Sequence, residues 1–418
     1  MIRIPLALPW MEEEEARAAR AAILSGWVTQ GPRVAAFEEA FAARVRSAGA
    51  CAVSSCTTAL HVALLATGVR PGDVVITVSH SFIASANAIR HCGAEPFFVD
   101  IDAETLNLDP ALLERALEAD FESRGDGLWL KAPERLATPQ SPLAVLRAPF
   151  GRLSAILVVH QVGMPANLAA ILPLARRLGV PVVEDAACAT GSEISLDGGK
   201  TFEPVGRPHG VAACFSFHPR KLVTTGDGGM ITSNDAKLIA TAKALRHHGM
   251  DVSDLSRHQD KEVVFETYSR TAFNYRMTDI QAAIGTEQLK RLPRMLEERR
   301  AQAARYRELL AGISGVEAPA EPAHARANWQ SYVVRLARPN LQLPVMRALR
   351  TQGIATARGV MCAHLEPPYL AAWPRGCLPV SEAMRDRGLM LPLHHQVDAN
   401  VQAEVVAALA SALEHAPA

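Results

Sequence analysis

Between residues 50 and 233 the sequence switches repeatedly between two periods, and this constrains the fold more than any other feature. Short apolar runs, ACAV (50–53), DVVITV (73–78), EPFFVDID (95–102), AILVVH (155–160) and VPVVED (180–185), read as strands. Between them lie SSCTTALHVALLATG, FIASANAIRHCG and LAAILPLARRLG, which carry helical spacing. Strands that are apolar on both faces and joined through helices predict an α/β fold with a mostly parallel sheet covered on both sides. The pair VAACFSF and GGMITS extends the series. Ahead of it, Glu12 to Glu15 opens an alanine-rich helix with its acids at the positive end of the dipole, and Ser25-Gly26 stops it.

A chain of 418 residues can bury one large core and one smaller one. The helix DAKLIATAKALRHHG is followed by the polar stretch MDVSDLSRHQDKE, which sets the expected boundary between a large domain, 1–250, and a smaller C-terminal α/β domain, 251–418. The latter holds the long helical segment from Asp279 and the strand-like SYVVRL (331–336). Residues 119–152, rich in Pro, Arg and Gly, interrupt the alternation and read as a surface excursion.

Several function classes drop out. The 43 basic and 43 acidic residues balance, so neither nucleic acid nor an anionic membrane is an expected partner. Seven cysteines without a C-x-x-C pair fit reduced thiols, and no run of ~18 apolar residues or secretory signal is visible, so a soluble cytoplasmic protein is expected. The dinucleotide, Walker A, zincin and nucleophile-elbow motifs are absent. The pairs His247-His248 and His394-His395 lack metal-ligand spacing and read as helix-end or surface residues, so no metal is expected.

What remains sits at strand ends, where open α/β sheets build sites. SSCTTAL brings the hydroxyls of Ser55, Thr57 and Thr58 to a helix start that can take a phosphate. VPVVED ends in Glu184-Asp185. The stretch CFSFHPRKLVTTGDGGMITSND (214–235) sets Lys221 after Ser216 and His218 and before glycines 226, 228 and 229. FNYRMTD (273–279) offers Asn274 and Arg276, with Thr278 as a helix cap. Singly these read as an N-cap, a turn acid, a solvated lysine and a helix entry. Together, a phosphate cradle, a strand-end acid and a lysine on a glycine-bounded loop are the parts that pyridoxal 5′-phosphate requires.

With SGWVTQGPRVAAFEEAFA, SFIASANAI, HQVGMPANL, EDAACATGSE and FNYRMTDIQAAIGTEQL added, the chain resembles the DegT/DnrJ/EryC1/StrS family over nearly its whole length. The resemblance implies a fold type I pyridoxal-phosphate transferase that aminates nucleotide-linked keto sugars from an amino-acid donor, L-glutamate, in a ping-pong sequence. It makes Lys221 the Schiff-base lysine, Asp185 the partner of the pyridinium nitrogen and Phe82 the aromatic stacked on the ring. Thr57, Thr58 and Ser216 would hold the phosphate, Cys188 would lie beside the phenolic oxygen, and Asn274 would reach across a homodimer with shared sites. It also implies that the amine of Lys221 loses its proton more easily than an ordinary lysine, from ~10.4 toward ~7 to 8. The chain departs from the family pattern at Cys56, Val162 and Cys188. A keto-cyclitol acceptor, or an inactive binding protein of the same fold, are the alternatives; the lysine itself argues against the family's dehydratases, which carry histidine there.

Overall fold

The computed structural model describes residues 1–125, 127–147, 149–250 and 265–416. The expected domain boundary adjoins 251–264, outside the described residues. Seven strands form the main sheet, numbered along the chain: β1 Gly49–Val53, β2 Val74–Val78, β3 Glu95–Val99, β4 Leu153–Val159, β5 Val182–Asp185, β6 Ala212–Ser216 and β7 Gly229–Ser233. Their spatial order is β1-β7-β6-β5-β4-β2-β3. Pairing is parallel from β6 through β3, whereas β7 runs antiparallel to both β6 and β1. The mostly parallel α/β architecture expected from the sequence is therefore present.

Side chains alternate between the two faces, as the pleat requires. Ala213, Phe215, Ile156 and Val158 pack on one face of the sheet, with Phe37 and Phe41, and Ala212, Cys214, Ala155 and Leu157 on the opposite face, with Leu60 and Leu64; the two layers make the main core. Helices α1 (Glu13–Leu24) and α2 (Pro32–Val45) precede the strands, α3 (Cys56–Thr67), α4 (Ala84–His91), α5 (Pro110–Asp120) and α6 (Leu168–Arg177) lie among them in the sequence, α7 (Ala236–Arg246) follows β7, and the 32-residue α8 (Asp279–Leu310) packs on α1 and α2. Thr278 caps α8 as expected, in a reciprocal box with Gln281. Asp279, fully buried, in turn accepts from the N–H groups of Gly31, Arg33 and Val34 and so caps α2.

A second cluster, with Tyr306, Tyr332, Val334, Leu389, Leu391 and Leu409, is built on a four-stranded antiparallel sheet of residues 316–317, 332–336, 388–391 and 357–358. Two expectations are corrected here. Residues 119–152 are more than a surface excursion: a hairpin, Phe121–Arg124 with Gly127–Leu130, is followed by turns that bury Leu136 and Leu143 in the main core. The ring of Phe121 meets Phe97 of β3 at 5.1 Å, and Ser141 donates to Glu95 at 2.8 Å. The segment thereby packs on side chains of β3, the last strand in the sheet order. His394, read as a helix-end or surface residue, is 2% exposed and donates from Nε2 to the carbonyl of Pro5.

Burial lowers the imidazole pKa of His61, His80 and His394 to about 4. Unfolded histidine takes its proton near 6.5, so below that pH the unfolded chain binds more protons than the folded one. Stability should fall as pH drops from 6.5 toward 4, by roughly 1.4 kcal/mol per pH unit for each group. Urea melts between pH 7.5 and 5.5 should show this slope, and His61→Phe should make it shallower. An unchanged slope in that variant would remove His61 from the account.

Candidate active site

The register brings the expected strand ends together. Gly229, at the start of β7, lies between Val53 at the end of β1 and Ser216 at the end of β6. One strand further, Asp185 ends β5 opposite Cys214. Because β1, β5 and β6 point the same way, the turn into α3, the strand-end acid and the lysine loop all open on one edge of the sheet. A Cβ on Gly229 would lie 2.3 Å from the carbonyl oxygen of Ser55 and 2.8 Å from the nitrogen of Cys56. Glycine is required there for β7 to come this close to the α3 start.

At that start Ser55 is the N-cap and accepts from the N–H of Thr58 at 3.2 Å. The hydroxyl of Thr58 donates to the Ser55 carbonyl at 2.8 Å, which commits its proton to the cap. Thr57 is half-buried beside it, and the first backbone N–H groups of the helix have no acceptor one turn back. Ser216 is buried at the end of β6.

Asp185 is 4% exposed. Its carboxylate accepts from the Ser85 hydroxyl at 2.7 Å and the Ala187 N–H at 3.1 Å. Burial raises its pKa, and these two donors, with Lys221 and His160, offset only part of that. A buried carboxylate so sparsely paired suits a cationic N–H. Its neighbour Glu184 faces the other way. Its carboxylate takes the His160 Nε2–H at 3.1 Å and the N–H groups of His209 and Gly210, while His160 Nδ1 accepts from Ala166 N–H. The alternation of a strand thus divides the Glu-Asp pair into one structural and one site-facing acid.

Lys221 is half-buried on the loop between β6 and β7, and its Nζ donates to Cys188 Sγ at 3.1 Å. Burial acts to lower its pKa, but Cys188, with Cys56 and the Asp185 carboxylate, outweighs that and holds the ammonium above the ordinary lysine value. This is the reverse of the shift expected from the sequence. The neighbours in this structure are an acid and thiols, whereas the expected shift rested on a cation.

Phe82 precedes α4 and is 63% exposed, one turn from Ser85. Asn274 is exposed on a segment laid along the edge of β1: Ser54 N–H donates to the Tyr275 carbonyl at 2.8 Å, and Arg276 pairs with Val53. Sequence reasoning missed Ser85, although its place three residues after Phe82 puts both on one turn. It also missed Asn328 and Gln330, whose contacts are made across more than a hundred residues. Among the described residues no group of three metal-ligating side chains occurs, and no helix is long and apolar enough to cross a membrane.

The model of the DegT/DnrJ/EryC1/StrS aminotransferase family matches residues 9–410. The spore coat polysaccharide biosynthesis protein SpsC of Bacillus subtilis is 32% identical over 397 residues, 94% of this chain and 92% of that protein. Among solved structures, the aminotransferase TlmJ of Streptoalloteichus hindustanus superposes with a TM-score of 0.80 at 31% identity, covering 98% of this chain and 99% of its own. DesV of S. venezuelae, in complex with a ketimine intermediate, does so with a TM-score of 0.81 at 28% identity, covering 99% and 100%.

Proposed function

The chain belongs to the DegT/DnrJ/EryC1/StrS aminotransferase family, whose members depend on pyridoxal phosphate, and from that premise we propose that it moves an amino group from L-glutamate to a keto group of a nucleotide-linked sugar. The observation that carries this reading is the meeting of Lys221, Asp185 and the α3 start on one sheet edge.

In this proposal the first N–H groups of α3, with Thr57 and Ser216, hold the phosphate of pyridoxal 5′-phosphate; Thr58 contributes through the cap. Gly229 leaves the space in which that cradle forms. Asp185, steadied by Ser85 and the Ala187 N–H, would hold the ring nitrogen, and Phe82 would stack on the ring. Cys188 lies beside Lys221, where the phenolic oxygen would come. The cofactor, when bound, supplies an aldehyde for covalent capture of amines and an electron sink. Lys221 would supply the amine that holds it and, when free, would carry a proton to and from the donor α-carbon. For that, Lys221 must give up the proton that Cys188 and Asp185 help it hold, and a ring cation set against Asp185 favours that release. A homodimer, with Asn274 of the partner subunit closing the phosphate pocket, completes the site. The two-domain division at about residue 250 belongs to the same reading; the second cluster is drawn mainly from residues 303–412, whereas Met277 to Leu296 pack into the main core.

Borohydride reduction of the holoprotein should fix the cofactor on the peptide holding Lys221. The amine form of the cofactor should then return to the aldehyde form with nucleotide-linked keto sugars, and keto-cyclitols form the second arm of the panel. Reduction that labels another lysine would overturn the site. Turnover of cyclitols alone would overturn the sugar acceptor.

A further inference from the structure

We propose that Gln330, anchored by Asn328, is a positioning residue that aims Lys221 into the site. The proposal rests on Lys221 being the reacting amine. Gln330 Oε1 accepts the Leu222 N–H at 3.0 Å, and its Nε2 donates to the Arg220 carbonyl. These groups flank Lys221 on both sides, so a single amide fixes the two peptide planes that set the direction of its side chain. Asn328 holds the facing turn. Its Nδ2 donates to the carbonyls of Cys188 at 2.8 Å and Thr190 at 2.9 Å, and its Oδ1 accepts the Gln330 N–H at 2.8 Å. The Lys221–Cys188 contact is thus gripped from both ends by two side chains, one of which, Asn328, also binds the backbone N–H of the other.

Three further observations separate this strap from ordinary packing. Both amides are buried, and each of their side-chain nitrogen and oxygen atoms is spent on a peptide group of the lysine turn, the cysteine turn or the strap itself. A buried amide is tolerated only when it is satisfied in this way, and apolar side chains would fill the same space at lower cost. Between the two amides Trp329 adopts φ 52, a left-handed conformation that a bulky residue holds only when its surroundings impose it. Its indole belongs to the second cluster while residues 328 and 330 engage the site. Gly163 also has positive φ, and a Cβ there would stand 2.0 Å from Asn328 Oδ1 and 3.1 Å from the Cys188 carbonyl oxygen, so glycine gives the strap its passage. Strand 332–336 begins two residues after Gln330, so the lysine loop is fastened to the sheet of the second cluster.

Gln330→Met keeps the length of the side chain and removes both hydrogen bonds; Gln330→Asn keeps the amide but falls one methylene short of spanning them. In cofactor-free protein, the pH profile of Lys221 acylation, read by peptide mass spectrometry, should move to lower pH in both variants. The amine then loses the partners that hold its proton while burial remains. In the loaded enzyme, kcat for the donor half-reaction should fall about 10- to 100-fold with KM nearly unchanged, the mark of misaligned reacting atoms. If Gln330→Met does not fold, Gln330→Asn decides. Folded variants with the wild-type profile and kcat would overturn the strap. Wild-type protein that carries no cofactor on Lys221 would instead overturn the proposed function, so the two failures are distinct.

Discussion

Lys221→Ala should lower turnover by at least about three orders of magnitude, within the range that a positioned proton-transfer group supplies, with covalent capture lost in addition. Three other lysines are engaged with partners outside the site. Lys131 is bonded to the carbonyls of Glu118 and Ala119, Lys243 pairs with Glu38 and Lys290 with Glu287, all away from the sheet edge that carries the site. The variant should still fold, because the loop is held by backbone bonds such as Phe217 N–H to Gly228 O at 2.9 Å and Thr225 N–H to Phe217 O at 3.1 Å, and by Gln330. Visible absorbance of the lysine-bound cofactor should vanish while the far-ultraviolet spectrum stays. A variant that keeps turnover within about tenfold of wild type after exhaustive purification would show that Lys221 is not the reacting amine.

Asp185→Asn should separate electronics from architecture. The amide fits the same donors: its oxygen can accept the Ala187 N–H, and its nitrogen can donate to Ser85, whose hydroxyl can turn toward Ser81 at 2.9 Å. The charge is what disappears. Activity should drop roughly 100-fold or more, because a preorganised anion facing charge in the transition state is lost. Stability should not drop. Burial raises the Asp185 pKa above its unfolded value, so at pH 7 the ionised carboxylate costs folding free energy, and an amide removes that cost. The expected result is therefore a melting temperature equal to or above that of wild type, with activity largely gone. A variant with near-normal half-reactions would remove Asp185 as the ring partner, and one that melts well below wild type would recast it as a structural acid.

The alternation of strands and helices was legible because each strand from β1 to β7 is a short apolar run between turn signals. The period of two within each run becomes the two faces of the sheet, as in Ala212 to Ser216. Lys221 and Asp185 were legible as strand-end polar residues beside apolar runs. The glycines at 228 and 229 announced a close approach, though the partner in that approach, the Ser55 carbonyl, did not appear in the sequence. The segment 119–152 was misread because its apolar residues are few and widely spaced. Leu130, Leu136 and Leu143 are buried in the main core among partners that no local period could point to.

The sequence by itself determined the local choices: which runs extend, which coil, where helices begin, and which polar groups stand at strand ends. Such choices depend on neighbours within a few residues, and side-chain period and capping chemistry record them directly. Only the tertiary structure decided that Glu184 turns away to His160, that Ser85 steadies Asp185, and that Lys221 meets a thiol and an acid that hold its proton. It also decided that an amide 109 residues beyond Lys221, at Gln330, holds the backbone on either side of it. These outcomes follow from register, burial and long-range hydrogen bonds. Such interactions arise between segments whose proximity exists only after the chain has folded, so no stretch of sequence carries them alone.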